Sequence, residues 1–286
     1  MGVAELHRDP RAWQRRMSAA REGGTRIVLV PTMGYLHDGH LSLLREARRR
    51  AGAGGLAVAS IFVNPTQFGP QEDLARYPRD LEGDLAKCAA AGIDAVLAPQ
   101  RPEQVFSPEH ETWIATERTA GGLCGAKRPG HFRGVATVVA KLFHLTCPHA
   151  ALFGEKDWQQ LQVIRAMVRD LDFDVEVVGM PIVREPDGLA LSSRNAYLGL
   201  DERRRALALS RVLATARERV RGGERDAARL AADAAAELAR EGARVDYVEI
   251  VHPSHLTPLA LVEPGSRMLV AAWLGATRLI DNAALA

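Results

Sequence analysis

The chain has 286 residues, 47% hydrophobic, 25% charged and only 5% aromatic, and its 37 basic against 35 acidic residues give a formal net charge of +2. That balance argues against a large electrostatic footprint for nucleic acid but leaves room for a local basic pocket, and no apolar run is long enough to span a membrane. The length suits one large domain or two smaller ones, with two the better fit.

The N-terminal stretch, with Glu5, Asp9 and several arginines around Trp13, lacks the apolar core of a secretory signal. Residues 25–31 (TRIVLVP) are short, aliphatic and β-branched, the pattern of a strand buried on both faces in a parallel sheet. Leu41, Leu44 and Ala47 then recur at helical spacing with Arg45, Arg48 and Arg49 on the other face, so a helix is expected to start at Gly39 and His40. Strands follow at 56–63, 95–98, 150–153 and 175–178, alternating with helices at 81–91, 134–145 and 159–168. Such alternation means right-handed βαβ units and an α/β, Rossmann-like doubly wound parallel sheet. In these sheets ligands bind beyond the carboxyl ends of the strands. Three polar segments, 31–40, 64–69 and 154–160, leave three strand ends and are expected to converge on one cleft. Past Pro181 come a polar segment over 184–195, Ala/Arg-rich helices at roughly 201–220 and 225–241, and strands at 245–251, 267–273 and 278–280. The chain is therefore divided into a Rossmann-like domain over 1–182 and a smaller α+β domain over 183–286. Cys88, Cys124 and Cys147 are widely spaced with no C-x-x-C pair, so neither a disulfide framework nor a structural zinc is expected, and a reducing cytoplasm is the simplest home.

The junction PTMGYLHDGH (31–40) carries His37 and His40 at a helix N-terminus, where unpaired N–H groups favour an anion. Three readings stand: a structural turn, a zinc site short of its usual three ligands, or phosphate binding by imidazole. Lys156, between Glu155 and Asp157 after a strand, reads either as a surface lysine or as a phosphate contact. Ser192, Ser193 and Arg194 read as a polar linker or as donors to phosphate oxygens on a closing loop. Together these segments suggest a nucleoside triphosphate site without a P-loop or a G-x-G-x-x-G turn. A carboxylate nucleophile is already ionised near neutral pH, so adenylation asks mainly for alignment and charge stabilisation.

Five ordered motifs, PTMGYLHDGH (31–40), SIFVNPTQF (60–68), RPGHFRG (128–134), FGEKD (153–157) and LSSRN (191–195), followed by Asp281 and Asn282, closely resemble the pantothenate synthetase family over nearly the whole chain. The resemblance places the chain in the nucleotidyltransferase superfamily of class I aminoacyl-tRNA synthetases, with H-D-G-H and L-S-S-R as the HIGH-like and KMSKS-like motifs. It implies an AMP-forming ligase. ATP and (R)-pantoate give pantoyl adenylate and pyrophosphate, and β-alanine then attacks to give pantothenate, a coenzyme A precursor, and AMP. By position, Met33, Gly34, Tyr35, Leu36, His37, Asp38, Gly39 and His40 line ATP, and His40 stands where the family's proton donor is usually named. Gly154, Glu155, Lys156, Asp157, Val183, Leu191, Ser192, Ser193 and Arg194 complete the ATP site. His37, His40, Lys156 and Arg194 form the implied catalytic set. Gln67 and Gln160 hold pantoate, whose hydroxyls and carboxylate suit neutral amides, and Asn64 and Tyr77 border that pocket. Mg2+ bridges phosphate oxygens with Asp84 as its protein contact. A cytoplasmic homodimer, a C-terminal lid, and no nucleic-acid or membrane partner complete what the resemblance implies. Thr66 and Leu191 stand where methionine is common, Trp158 replaces a common tyrosine, and Gly83 stands beside a position that often carries an acid.

Two rival readings share these motifs. One is another H-x-G-H nucleotidyltransferase that transfers AMP to a phosphate, and the other is a nucleotide-binding protein without turnover.

Overall fold

The computed structural model describes residues 4–70 and 72–285, so residues 1–3, 71 and 286 of the two expected domains lie outside the described residues. Two compact units emerge, one of residues 1–116, 128–155 and 163–181, the other of 117–127, 156–162 and 182–286. The segments 117–127 and 156–162, which a linear division assigns to the first domain, thus group with the second. Side-chain hydrogen bonds explain why. Gln159 is buried, its Oε1 accepts from the Cys124 amide at 3.0 Å, and its Nε2 donates to the Thr119 and Gly122 carbonyls at 3.0 and 2.9 Å. The Trp158 indole N–H donates to the Pro253 carbonyl at 2.9 Å.

In chain order the elements are β1 (Glu5–His7), α1 (Pro10–Glu22), β2 (Ile27–Thr32), α2 (Asp38–Ala51), β3 (Leu56–Ile61), α3 (Leu81–Ala90), β4 (Ala95–Leu97), α4 (Leu123–Lys127), α5 (His131–Thr146), β5 (Ala150–Gly154), α6 (Trp158–Asp170) and β6 (Glu176–Met180). The six strands form one parallel sheet in the order β1-β4-β3-β2-β5-β6. The expected α/β Rossmann-like architecture is therefore the observed one. β3, β2 and β5 are neighbours, and the chain runs outward in opposite directions on either side of β2, so their carboxyl ends meet at the switch point. Val28 and Val30 of β2, Ala57 and Ala59 of β3, and Leu44 and Ala47 of α2 share one buried cluster. The alanines let α2 lie close against the sheet.

The first helix was not legible. α1 buries only Trp13 and Met17 among large apolar residues, too sparse a stripe to stand out between arginines, and its start is fixed by Pro10 and the Asp9 cap. Other elements differ at their edges. α2 starts at Asp38 rather than Gly39 because His37 caps it. α5 starts at His131 rather than 134, after Gly130 in the left-handed region at φ +82°.

In the second unit, α7 (Leu200–Ala206), α8 (Ala208–Arg221), α9 (Ala227–Arg240), β7 (Arg244–Val251), β8 (Arg267–Leu274) and β9 (Thr277–Ala284) follow the 184–195 segment. The expected single helix over 201–220 is two, broken at Leu207, and the short strand expected at 278–280 is eight residues long. The sheet is antiparallel in the order β7-β8-β9, with α9 packed on β7 and α8 on β9. Leu209, Leu213, Leu230, Leu238, Met268 and Val270 form its core.

Candidate functional site

The first unit presents the β2–α2 turn. Gly34 takes φ +82° and Tyr35 φ +51°, a strained value for a residue with a side chain. Asp84 on α3 holds that conformation: it is 1% exposed, and its two carboxylate oxygens accept the Tyr35 and Leu36 amides, each at 2.7 Å. A Cβ on residue 34 would stand 2.9 Å from Asp84 Oδ2, so glycine is required on space as well as on φ. Lys87, one turn along α3, donates to the Leu36 carbonyl at 2.8 Å. Asp84, expected at a metal ion, is thus placed as the anchor of this turn, with both oxygens engaged. Burial pushes its carboxyl up, and the two amides only partly offset that. No cluster of three or more His, Cys, Asp or Glu among the described residues offers a metal cage.

The anchored turn delivers His37 and His40 in a reciprocal cap. His37 Nδ1 accepts the Gly39 amide at 3.1 Å, and His40 Nδ1 accepts the His37 amide at 3.3 Å, with the ring centroids 4.1 Å apart. An Nδ1 that accepts a hydrogen bond cannot carry the proton, so in each neutral ring the N–H is on Nε2. This tautomer speaks against the zinc reading and leaves the structural turn and the phosphate contact. What each ring can offer a ligand is then a donor, which suits an anion and not a cationic metal.

Gln67, beyond the end of β3, is held on several sides. Its Oε1 accepts from Asn64 Nδ2 at 3.0 Å, its Nε2 donates to Met33 Sδ at 3.3 Å, and its carbonyl accepts from His131 Nδ1 at 2.8 Å and Arg128 at 3.3 Å. Asn64 is buried, caps the turn over residues 65–67 through the Thr66 amide and hydroxyl, and also donates to the Gly134 carbonyl. Thr66 in place of methionine therefore supplies a second donor to Asn64. Tyr77 is buried, edge-on to Phe68. Arg128 pairs with Glu72 at 2.8 Å; burial pushes the Glu72 carboxyl up, and the guanidinium brings it below its usual value. Gly154 closes β5, and a Cβ there would meet nothing within 4 Å. The first unit thus joins Met33 with Gln67 and Asn64, and His37 with His40.

In the second unit, Lys156 and Ser192 line one small cavity with Asn195 and Asp281. Lys156 Nζ lies 3.9 Å from Asp157 Oδ2. Residues 183–191 form a small hairpin in which the Leu191 amide bonds the Val183 carbonyl at 3.0 Å. Ser192 then caps a 3-10 turn by accepting the Arg194 amide at 3.3 Å, and Ser193 and Arg194 sit on that turn. Arg203 of α7 forks onto Glu185 at 2.9 and 2.7 Å and reaches Asp187 at 2.6 Å, while Arg184 forks onto Asp281 at 2.6 and 2.9 Å. Gln160 is half-buried on the first turn of α6.

Several supporting residues carried no local signal. Arg128, His131 and Gly134 lie in a motif noted for its resemblance, but their grip on Gln67 appears only in three dimensions. Gly134 lets α5 approach the 65–67 turn, since a Cβ would come within 2.4 Å of the Thr66 carbonyl oxygen. Gly83 has a similar reason: a Cβ would meet Asp80 Oδ2 at 2.1 Å, because the Asp80 cap folds over it. The indole of Trp158, besides bonding Pro253, carries the Arg267 guanidinium 3.4 Å above it.

Comparison with known proteins shows the family. The family model for pantoate-beta-alanine ligase matches residues 5–284. The chain is 73% identical to the pantothenate synthetase of Anaeromyxobacter dehalogenans, with all of both chains covered, and 60% identical to that of Myxococcus xanthus over 92% of this chain and 89% of the other. The crystal structure of the pantothenate synthetase from Thermus thermophilus superposes with a TM-score of 0.88 at 44% identity, covering 98% of this chain and 99% of that one. The Francisella tularensis pantoate-beta-alanine ligase, solved in complex with beta-gamma ATP and beta-alanine, gives a TM-score of 0.81 at 29% identity over 99% and 98% of the two chains.

Proposed function

The chain belongs to the pantoate–β-alanine ligase family and is an ATP-dependent ligase, and from that premise we propose how its residues divide the two steps. In the first step a carboxylate oxygen of (R)-pantoate attacks the α-phosphorus of ATP, the bond to the bridging oxygen breaks, and pyrophosphate leaves. In the second, the amine of β-alanine attacks the acyl carbon of pantoyl adenylate, and pantothenate, AMP and a proton are released. Neither the nucleophile nor the leaving group of the first step needs a base, so the protein's task is to align the carboxylate and stabilise the charge that builds on the phosphates.

His37 and His40 donate their Nε2–H groups to the phosphates at the N-terminus of α2. Lys156 and Arg194 add positive charge, Ser192 and Ser193 add hydroxyl donors, and Met33 to Asp38, Gly39, Glu155, Asp157, Val183 and Leu191 surround the nucleotide. Gly154 leaves space for it at the end of β5. Gln67 and Gln160 orient pantoate. Asn64 acts on pantoate through Gln67, whose amide it aims, and Tyr77 closes that side. Mg2+ would neutralise charge on the triphosphate; Asp84, the contact that the resemblance implies, has both carboxylate oxygens accepting backbone amides, so no protein ligand is assigned to it. The working enzyme is a cytoplasmic homodimer whose second unit serves as the lid. The three cysteines form no disulfide, which fits a reducing compartment, and family resemblance supports the dimer. Among the described residues no helix is long and apolar enough to cross a membrane.

The observation that carries this reading is the reciprocal cap that fixes both Nε2–H donors. His40→Asn tests it, because the amide oxygen can replace Nδ1 as acceptor for the His37 amide while the donor at Nε2 is lost. The expected result is a melting temperature within a few degrees of the parent and single-turnover adenylation slower by about a hundredfold. Parent-rate adenylation by His40→Asn would reduce the histidine to a cap. Pyrophosphate–ATP exchange should require pantoate and not β-alanine; exchange that strictly needs β-alanine would remove the adenylate step.

A further inference from the structure

Two consecutive residues of β9 reach two segments of the second unit that lie far apart in sequence. Asn282 is 2% exposed; its Nδ2 donates to the Lys156 carbonyl at 3.0 Å, and its Oδ1 accepts from Arg267 Nη1 at 2.5 Å. Arg267 is itself seated on the Trp158 indole, two residues beyond Lys156. Asp281 is 3% exposed; it receives the Arg184 fork, and Arg184 also donates to the Gly188 carbonyl at 3.0 Å across the hairpin that precedes Ser192. Asp281 Oδ1 additionally accepts the Asn282 amide at 2.7 Å, tying the two side-chain systems together.

We propose that Asp281 and Asn282 are positioning residues for adenylation, fixing the Lys156 turn and the 184–194 hairpin against one rigid strand. The inference rests on the reading that Lys156 and Arg194 serve the phosphates. Its physical content is specific. A buried amide that both donates to a backbone carbonyl and accepts from a stacked guanidinium has few alternative orientations, so the carbonyl of Lys156 has one place to be. The Arg184–Asp281 fork does the same for the hairpin, because two parallel N–H···O bonds fix direction as well as distance. Lys156 and Ser192 line the same cavity as Asp281, so the anchor and the two groups it aligns border one space.

Asn282→Asp separates positioning from folding. The carboxylate keeps an acceptor for Arg267 and loses the donor to the Lys156 carbonyl. The expected result is a parent-like melting temperature, an ATP KM changed no more than a few-fold, and single-turnover adenylation slower by about tenfold or more, since displacements of about 1 Å can cost that much. Combined with Lys156→Ala, the substitution should add almost nothing, because residues acting as a unit are not additive. Should Asn282→Asp fold poorly, Asp281→Asn measured alone and with Arg194→Ala gives the same test on the other arm. Parent-rate adenylation in a folded Asn282→Asp, or full multiplicative slowing in the double variant, overturns the positioning role. Parent-rate adenylation in Lys156→Ala instead overturns the reading of Lys156 itself, and the inference with it.

Discussion

The turn before α2 and the hairpin before α7 both present side chains beside a packed core, yet they are held by opposite means. The first hangs on backbone amides bonded to the buried carboxylate of Asp84. The second hangs on guanidinium forks whose arginine side chains, Arg184 and Arg203, are 32% and 27% exposed. Buried hydrogen bonds strengthen in a low dielectric and are costly to leave unmade. Partly exposed ion pairs are screened by salt and contribute little each. The His37–His40 turn is therefore built to stay fixed, while in the hairpin the Arg203 pairs, part-exposed on both partners, are the contacts that can be released and the Arg184 fork onto the buried Asp281 is the one that holds.

The sharpest way to break that contrast is Asp84→Ala, which leaves the Tyr35 and Leu36 amides buried without acceptors. At about 1–3 kcal/mol for each orphaned donor, the loss should be about 2–6 kcal/mol in denaturant unfolding. A variant as stable as the parent would mean that Asp84 does not anchor the turn. A smaller effect is expected from a pair of glycines that look alike in sequence. Gly134→Ala forces a Cβ against the Thr66 carbonyl, so it should cost about 1–3 kcal/mol and raise the pantoate KM through Gln67. Gly154→Ala meets open space, so it should leave the melting temperature unchanged while raising the ATP KM. If Gly154→Ala destabilises the protein and leaves ATP use unaffected, that glycine belongs to the fold and not to the nucleotide.

These cases also show what could be read from sequence. The strands at 27–32, 56–61 and 150–154 announce themselves because a parallel sheet buries both faces and so demands unbroken apolar runs. His37 and His40 are legible because capping is local, within three residues. Asp84 is not, because its partners lie 48 and 49 residues away and no periodicity marks a carboxylate that bonds backbone amides. The metal contact expected of it came from the family resemblance, not from any pattern around it. Gly134 is illegible for the same reason, since its close approach to Thr66 leaves no trace in the residues beside it, whereas the Asp80 cap over Gly83 lies within three residues. Gln159 shows a related limit: next to Gln160 in sequence, it is spent on three backbone groups of the 119–124 segment, a distinction that only the helix face reveals.

The smallest predicted effect separates the two regions by pH. Hydrogen bonds from Arg203 hold the Glu185 and Asp187 carboxyls below their ordinary values of 4.5 and 3.8. A carboxyl depressed in the fold contributes stability above its unfolded value and loses it as pH falls through the folded one. Asp84 has the opposite sign: burial raises its carboxyl above the ordinary 3.8, so its contribution is present below that value and is lost as pH rises through the folded one. Acidification should therefore loosen the hairpin while Asp84 adds nothing to acid lability at the turn. Amide exchange followed from about pH 5 to about pH 3, corrected for the intrinsic rate, reads this directly. The Glu185 and Leu191 amides, bonded to the Leu189 and Val183 carbonyls, should lose protection first, and earlier still at high salt. The Tyr35 and Leu36 amides should keep theirs. Loss of protection at Tyr35 and Leu36 before Leu191 would reverse the comparison, making the histidine turn the releasable element and the hairpin the fixed one.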